Sequence, residues 1–169
     1  MIRLIQETSA DDRIKALYEE AFPLQERRPW PLQEQLIAAG RIHILRITKE
    51  DRFAGFVFFW KLPAFSFIEH FAVDPASRGG GTGTQVMKEM ETLLGTIILE
   101  VEPPDTEQAI RRIHFYERLG YHTFPEPYQQ PSYYPPHPPL DLRLMHKNLP
   151  ATVNFAFVRD QLYELVYHK

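Results

Sequence analysis

The chain has no cysteine, so no disulfide can staple it, and that agrees with a reducing cytoplasm as its expected location. It also has no apolar run near the ~20 residues that span a membrane. Its opening MIRLIQETSADDR carries neither a long apolar stretch nor a cleavage site, so a chain that is soluble and unexported is expected. There is no excess of positive charge: 19 lysines and arginines are dispersed among 22 acidic residues, a net charge of -3. This argues against nucleic acid as a bulk electrostatic partner. His43 and His70 stand alone in strand-like segments with no second histidine at ligand spacing, so no metal is expected and each reads as a hydrogen-bonded sheet residue. No internal repeat is visible. At 169 residues the chain suits one domain burying roughly 70% of its unfolded surface.

What the chain does have is concentrated in FSFIEHFAVDPASRGGGTGTQVM, Phe65 to Met87. Phe65, Phe67, Glu69, Phe71 and Val73 share one parity, and Ser66, Ile68, His70 and Ala72 the other. This predicts a strand with one carboxylate on an aromatic face. Pro75 ends it, having no amide to give to a ladder. Gly79, Gly80, Gly81 and Gly83 then open a helix, where exposed amides make an anion site. A Walker loop would need lysine after its last glycine, but Thr84 and Gln85 follow Gly83; a dinucleotide fingerprint would need glycine where Val86 stands. What remains is Arg-x-x-Gly-x-Gly on Arg78, Gly81 and Gly83. By itself that spacing suits a ligand-free turn about as well as a phosphate site.

Around this stretch the patterning predicts a strand at Ile2 to Gln6, then a helix capped by Thr8 or Ser9 and stopped by Pro23, with Ile14, Leu17 and Tyr18 on one stripe. The loop LQERRPW reads as exposed and anchored by Trp30, less readily as a cleft wall. A short helix begins at Pro31 and ends before Gly40. Arg41 to Thr48 and Arg52 to Leu62 form a hairpin about Lys49-Glu50-Asp51. Thr96 to Glu102 reads as an apolar strand parallel to the Phe65 strand. A helix from about Glu107 to Leu119 should turn Ile110, Ile113, Tyr116 and Leu119 inward. Tyr121 to Phe124 and Leu142 to Asn148 are strands. Residues 125–139, with seven prolines and three tyrosines, make a long loop, either packed on the domain or walling a substrate site. Phe155, Val158, Leu162 and Leu165 or Val166 mark a C-terminal helix whose stripe must close on its own sheet or on a second copy, a homodimer.

Ala72-Val73-Asp74-Pro75 ahead of the glycine loop, LEVE at Leu99 to Glu102 and HFYERLGY at His114 to Tyr121 together resemble the GCN5-related N-acetyltransferase (GNAT) family. The likeness covers about Met1 to Leu149. It implies an α/β (α+β) fold with a mixed, mostly antiparallel sheet flanked by helices. The acetyltransferase domain would span 1–149, with 150–169 a helical extension on the same domain.

The resemblance also implies acetyl coenzyme A as cosubstrate and an amine as acceptor. The cosubstrate would be held by the backbone of Phe71, Ala72 and Val73 and by Arg78, Gly79, Gly80, Gly81, Thr82, Gly83 and Thr84. Tyr116 would protonate the leaving thiolate, a phenol near pKa 10 serving a thiol near 8.5. An amine of pKa about 10.4 needs a base, for which Glu69 and Glu100 are the candidates, with Glu69 slightly preferred. One departure is clear: the family often has an asparagine one or two turns before the tyrosine, whereas Ala109, Arg111 and Arg112 stand there. The alternative function is a non-catalytic protein of the same fold that binds acyl coenzyme A.

Overall fold

The computed structural model describes all 169 residues. β1 (Ile2–Glu7) leads to α1 (Asp12–Ala21), a single 3-10 turn at Leu24–Glu26 and α2 (Trp30–Ala38). β2 (His43–Lys49), β3 (Arg52–Lys61) and β4 (Ser66–Val73) follow. After a 3-10 turn at Pro75–Ser77 come α3 (Thr82–Leu94), β5 (Ile97–Val101), α4 (Glu107–Arg118), β6 (His122–Thr123), β7 (Tyr128–Gln130), β8 (Leu140–Lys147) and α5 (Phe155–Leu165). The strands lie in the order β1-β2-β3-β4-β5-β8-β6, with β7 also paired to β8. Only β4 and β5 are parallel, as a strand-helix-strand crossover requires.

Local chemistry sets most element ends. The Asp11 carboxylate accepts from the amides of Arg13 and Ile14, so α1 is capped there and not at Thr8 or Ser9. Glu50 and Asp51 both adopt positive φ, which lets a two-residue turn close the β2–β3 hairpin. Thr106 caps α4 and Asn154 caps α5. On α4 the buried stripe is Ala109 and Ile113; Ile110, expected inward, is 38% exposed. The 125–139 loop differs from the expectation too: it contains β7, whose place beside β8 suits a proline-flanked edge strand.

The sheet separates two cores. On one face, α1, α2 and α5 cover Ile14, Tyr18, Phe56, Phe58, Trp60, Phe67 and Leu144, and the α5 residues Phe155, Val158, Leu162 and Val166 belong to this cluster. The apolar stripe of the last helix therefore closes on its own sheet. On the other face, α3 and α4 cover Val57, Phe59, Ile68, Leu99 and Met145. No helix is long and apolar enough to cross a membrane.

Two irregularities of β4 create the site. Phe58 of β3 pairs with His70 and Phe59 with Ile68, leaving Glu69 as an extra residue, a β-bulge. Glu69 and His70 consequently fall on the same face, and the alternation read from the sequence reverses beyond them: Phe67 joins the α5-side core, whereas Phe71 packs with the α3-side core. On its other edge, β4 pairs with β5 only from Ser66↔Ile97 to Ile68↔Leu99. Past that point the strands part and the sheet opens.

Candidate active site

The opening between β4 and β5 is the floor of a cleft of about 750 Å³. Ile68, Glu69, Phe71, Ala72 and Val73 line it from β4, Leu99 and Glu100 from β5, and Gln108, Arg111, Arg112, Phe115 and Tyr116 from α4. Arg78, Gly79, Thr82 and Gly83 close one end, and Glu20, Ala21 and Phe22 lie at the end of α1. Because β4 has no strand partner on this side beyond Ile68, the main-chain groups that Glu69 to Val73 turn this way, apart from the Val73 carbonyl held by Arg78, are available to a ligand.

The glycine loop presents donors. Gly79, Gly80 and Gly81 all take positive φ, a conformation that side chains disfavour. Gly81 begins α3 in the left-handed region without a side-chain cap. The amides of Gly79, Gly80, Gly81, Gly83 and Thr84 make no hydrogen bond within the protein. A bundle of free amides at the positive end of a helix suits a diphosphate. A Cβ on Gly83 would stand 3.3 Å from Cζ of Phe115, so any side chain there would press on the Phe115 ring where α3 meets α4. Lys49, at the end of β2, donates to Oγ1 of Thr82 at 3.1 Å and brings a cation beside the loop. Sequence reasoning missed it, since a lysine at a hairpin tip carries no local signal. Arg78 Nε donates to the carbonyl of Val73 at 3.0 Å and ties the loop to the strand end.

Of the three candidate catalytic side chains, Tyr116 faces the cleft from α4, edge-on to Phe115 and Tyr121. Its hydroxyl has no partner within the protein, and burial raises its pKa above the usual phenol value. It therefore stays protonated at neutral pH.

The two glutamates differ sharply. The Glu69 side chain is 0% exposed and is paired with Arg28, itself 3% exposed. Arg28 donates through both terminal nitrogens, at 3.1 and 2.9 Å, Trp60 Nε1 donates at 2.8 Å, and the Tyr133 hydroxyl also donates. Two donors on each oxygen fill the four lone-pair positions of a carboxylate. Burial would push its pKa up, but the Arg28 charge outweighs it and holds the group at about 2. Arg28 thus proves to be an internal residue, not part of an exposed loop, and the part of Glu69 that reaches the cleft is its bulged main chain.

Glu100, on the neighbouring strand, accepts from Tyr128 at 2.6 Å, from Gln130 Nε2 at 2.9 Å and from the Tyr167 hydroxyl, shared between its oxygens at 2.9 and 2.8 Å. Three protons on four acceptor positions leave one position free. Burial raises its pKa to about 7, against the opposing pull of the tyrosine hydrogen bonds, and the nearby Glu69 charge adds to the rise. The 125–139 loop therefore packs on the domain behind the two glutamates, with Tyr128 and Gln130 on Glu100 and Tyr133 on Glu69, while Tyr167, just beyond α5, also meets Glu100; none of the four lines the cleft itself. Their sequence signal was only compositional: aromatics among prolines.

A family model described as the acetyltransferase (GNAT) family matches residues 11–121. The chain is similar along its whole length to a structure from Bacteroides thetaiotaomicron assigned to that family, with 32% identity, a TM-score of 0.89, and coverage of 100% of this chain and 99% of that one. Two more distant structures share the fold. Arabidopsis thaliana Naa50 in complex with the bisubstrate analogue CoA-Ac-MVNAL is 20% identical, with a TM-score of 0.59 over 86% of this chain and 97% of that one. A Bacillus subtilis acetyltransferase in complex with CoA is 17% identical, with a TM-score of 0.61 over 89% of this chain and 100% of that one. A sequence search of curated proteins gave no match.

Proposed function

The chain belongs to the GNAT acetyltransferase family, and from that premise we propose that it transfers the acetyl group of acetyl coenzyme A to a primary amine. The observation that carries the reading is the shared cleft: the free amides of the glycine loop lie at one end and Glu100, with one unfilled acceptor position, lines the same space. The amides of residues 79–84 and Lys49 hold the diphosphate, and the free edge of β4 from Phe71 to Val73 orients the pantetheine and the thioester carbonyl. Arg111 and Arg112 stand where the family asparagine is missing and offer charge to the same ligand.

In this mechanism Glu100 takes a proton from the incoming ammonium, for which a carboxylate titrating near 7 is matched to neutral pH. The amine nitrogen bonds to the thioester carbon, and preorganised main-chain donors stabilise the oxyanion. The nitrogen, positively charged once bonded to carbon, releases its second proton to solvent, and as the carbon-sulfur bond breaks the Tyr116 hydroxyl gives its proton to the departing thiolate and regains one from solvent. Glu69, preferred slightly on sequence grounds, is the weaker base because its acceptor positions are filled and its charge is neutralised by Arg28.

The test is thiol release from acetyl coenzyme A against a panel of amines, with Gly83→Val as control. Release with at least one amine, lost in the folded control through weakened cofactor binding, supports the reading. Tight coenzyme A binding without release for any amine would leave a non-catalytic binding protein instead.

A further inference from the structure

Next to the cleft is a smaller chamber of about 50 Å³ that shares Phe22, Glu69, Glu100 and Arg112 with it. Its remaining polar walls are Glu26, His70, Glu102 and Gln130. Two of these are buried and incompletely bonded. His70, 2% exposed, places Nε2 2.8 Å from the carbonyl oxygen of Glu26. A carbonyl only accepts, so Nε2 bears the proton, and since burial keeps the ring neutral, Nδ1 is a bare acceptor. It has no partner. Gln130, 3% exposed, spends its amide protons on Glu100 and Tyr167, and its Oε1 has no partner either.

Leaving two buried acceptors unpaired costs about 1–3 kcal/mol each, so a donor belongs in this space. Water would fit by size. It would bring lone pairs of its own, however, and no charge: Arg28 is taken by Gln33 and Glu69, and Arg112, 3.7 Å from Glu102, is the one cation in the chamber wall set against Glu26, Glu100 and Glu102. A primary ammonium instead brings three donors and no acceptor. Its charge would also answer Glu26, which forms no ion pair and whose carboxyl is raised by burial and by the neighbouring Glu102, against the smaller pull of Arg112. A metal ion is a poorer fit, since no three carboxylate or imidazole groups converge here as ligands.

We propose that this chamber seats a second ammonium group of the acceptor, so that the amine acetylated beside Glu100 is one end of a short diamine or of an amine with another cationic nitrogen. The proposal rests on the acetyl-transfer reading above and deepens it.

The experiment compares straight-chain monoamines of three to five carbons with the α,ω-diamines of equal length on the full chain. It follows thiol release, and separately measures binding of each amine to the coenzyme A complex by calorimetry. The best diamine should exceed its monoamine by about 10-fold or more in kcat/KM, the scale of one charge-assisted contact. Glu26→Gln should bring that ratio below about 3. Equal kcat/KM for monoamine and diamine in the wild type overturns the subsite while leaving acetyl transfer standing. Selective diamine binding without thiol release supports the subsite and overturns acetyl transfer. Neither release nor selective binding overturns the subsite, and acetyl transfer then stands or falls on the wider amine panel.

Discussion

Replacing Arg28 by methionine tests the buried ion pair at the centre of the acceptor side. The change removes both donors from one edge of the Glu69 carboxylate and leaves that group 0% exposed beside Trp60 and Tyr133. Two routes give its size. A carboxyl that ionises at about 2 when folded against 4.5 when free is favoured in its charged form by roughly 3 kcal/mol. Breaking a buried pair at one partner typically costs about 3–5 kcal/mol. At about 2–4 °C per kcal/mol for a chain of this size, Arg28→Met should melt about 6–20 °C below wild type at pH 7. The sign of the pH dependence is more telling. In the wild type the Glu69 contribution is present above pH 4.5 and is lost as pH falls through about 2. Without Arg28, burial pushes the carboxyl above its unfolded value, so the variant loses stability relative to wild type as pH rises from about 4.5. Circular dichroism melts from pH 3 to 8 read both effects, and Arg28→Met/Glu69→Gln should recover more than half the loss. A single variant melting within about 2 °C of wild type, with an unchanged pH profile, would refute the reasoning.

Glu100→Gln should abolish the rise of kcat/KM with pH centred near 7; a retained acidic limb would assign the base elsewhere. The same variant should remove a stability term, since a carboxyl ionising at about 7 folded and near 4.5 unfolded contributes fully below pH 4.5 and is lost as pH rises through 7. Tyr116→Phe should lower kcat by roughly 10²- to 10⁴-fold with coenzyme A affinity nearly intact, and wild-type turnover with chemistry limiting would make the ring a packing residue only. Truncation after Leu149 removes four buried apolar side chains worth roughly 1.5–3 kcal/mol each, comparable to a whole domain's 5–15 kcal/mol. No cooperative melt is expected, and an unchanged melting temperature would contradict the place of α5 in the core.

Elements written by local chemistry were legible in the sequence. The spacing of Gly79 to Gly83 located the start of α3, and Lys49-Glu50-Asp51 located the hairpin. The acceptor side was not legible, because it depends on pairs far apart in the chain. Arg28 meets Glu69 across 41 residues, Tyr133 meets Glu69 across 64, and Tyr167 meets Glu100 across 67. No periodicity encodes such meetings. The slight preference for Glu69 as base followed from its place on the strand beside the proposed thioester site, and that position gave no sign that Arg28, Trp60 and Tyr133 occupy its carboxylate.

That bulge also makes β4 unusually sensitive to a change in chain length. Deleting one residue elsewhere in a strand disturbs its alternation, a fault that selection for folding would catch. Deleting Glu69 would let β3 and β4 pair without interruption, and His70, Phe71 and Ala72 would keep the faces they now hold relative to β3. Such a chain would satisfy a regular sheet while losing the partner of Arg28 and the extra main-chain unit that lines the cleft. Because Arg28 would be left buried without its partner, a library screened for folding would accept this deletion only together with an apolar replacement of Arg28, and one screened for turnover would reject the pair.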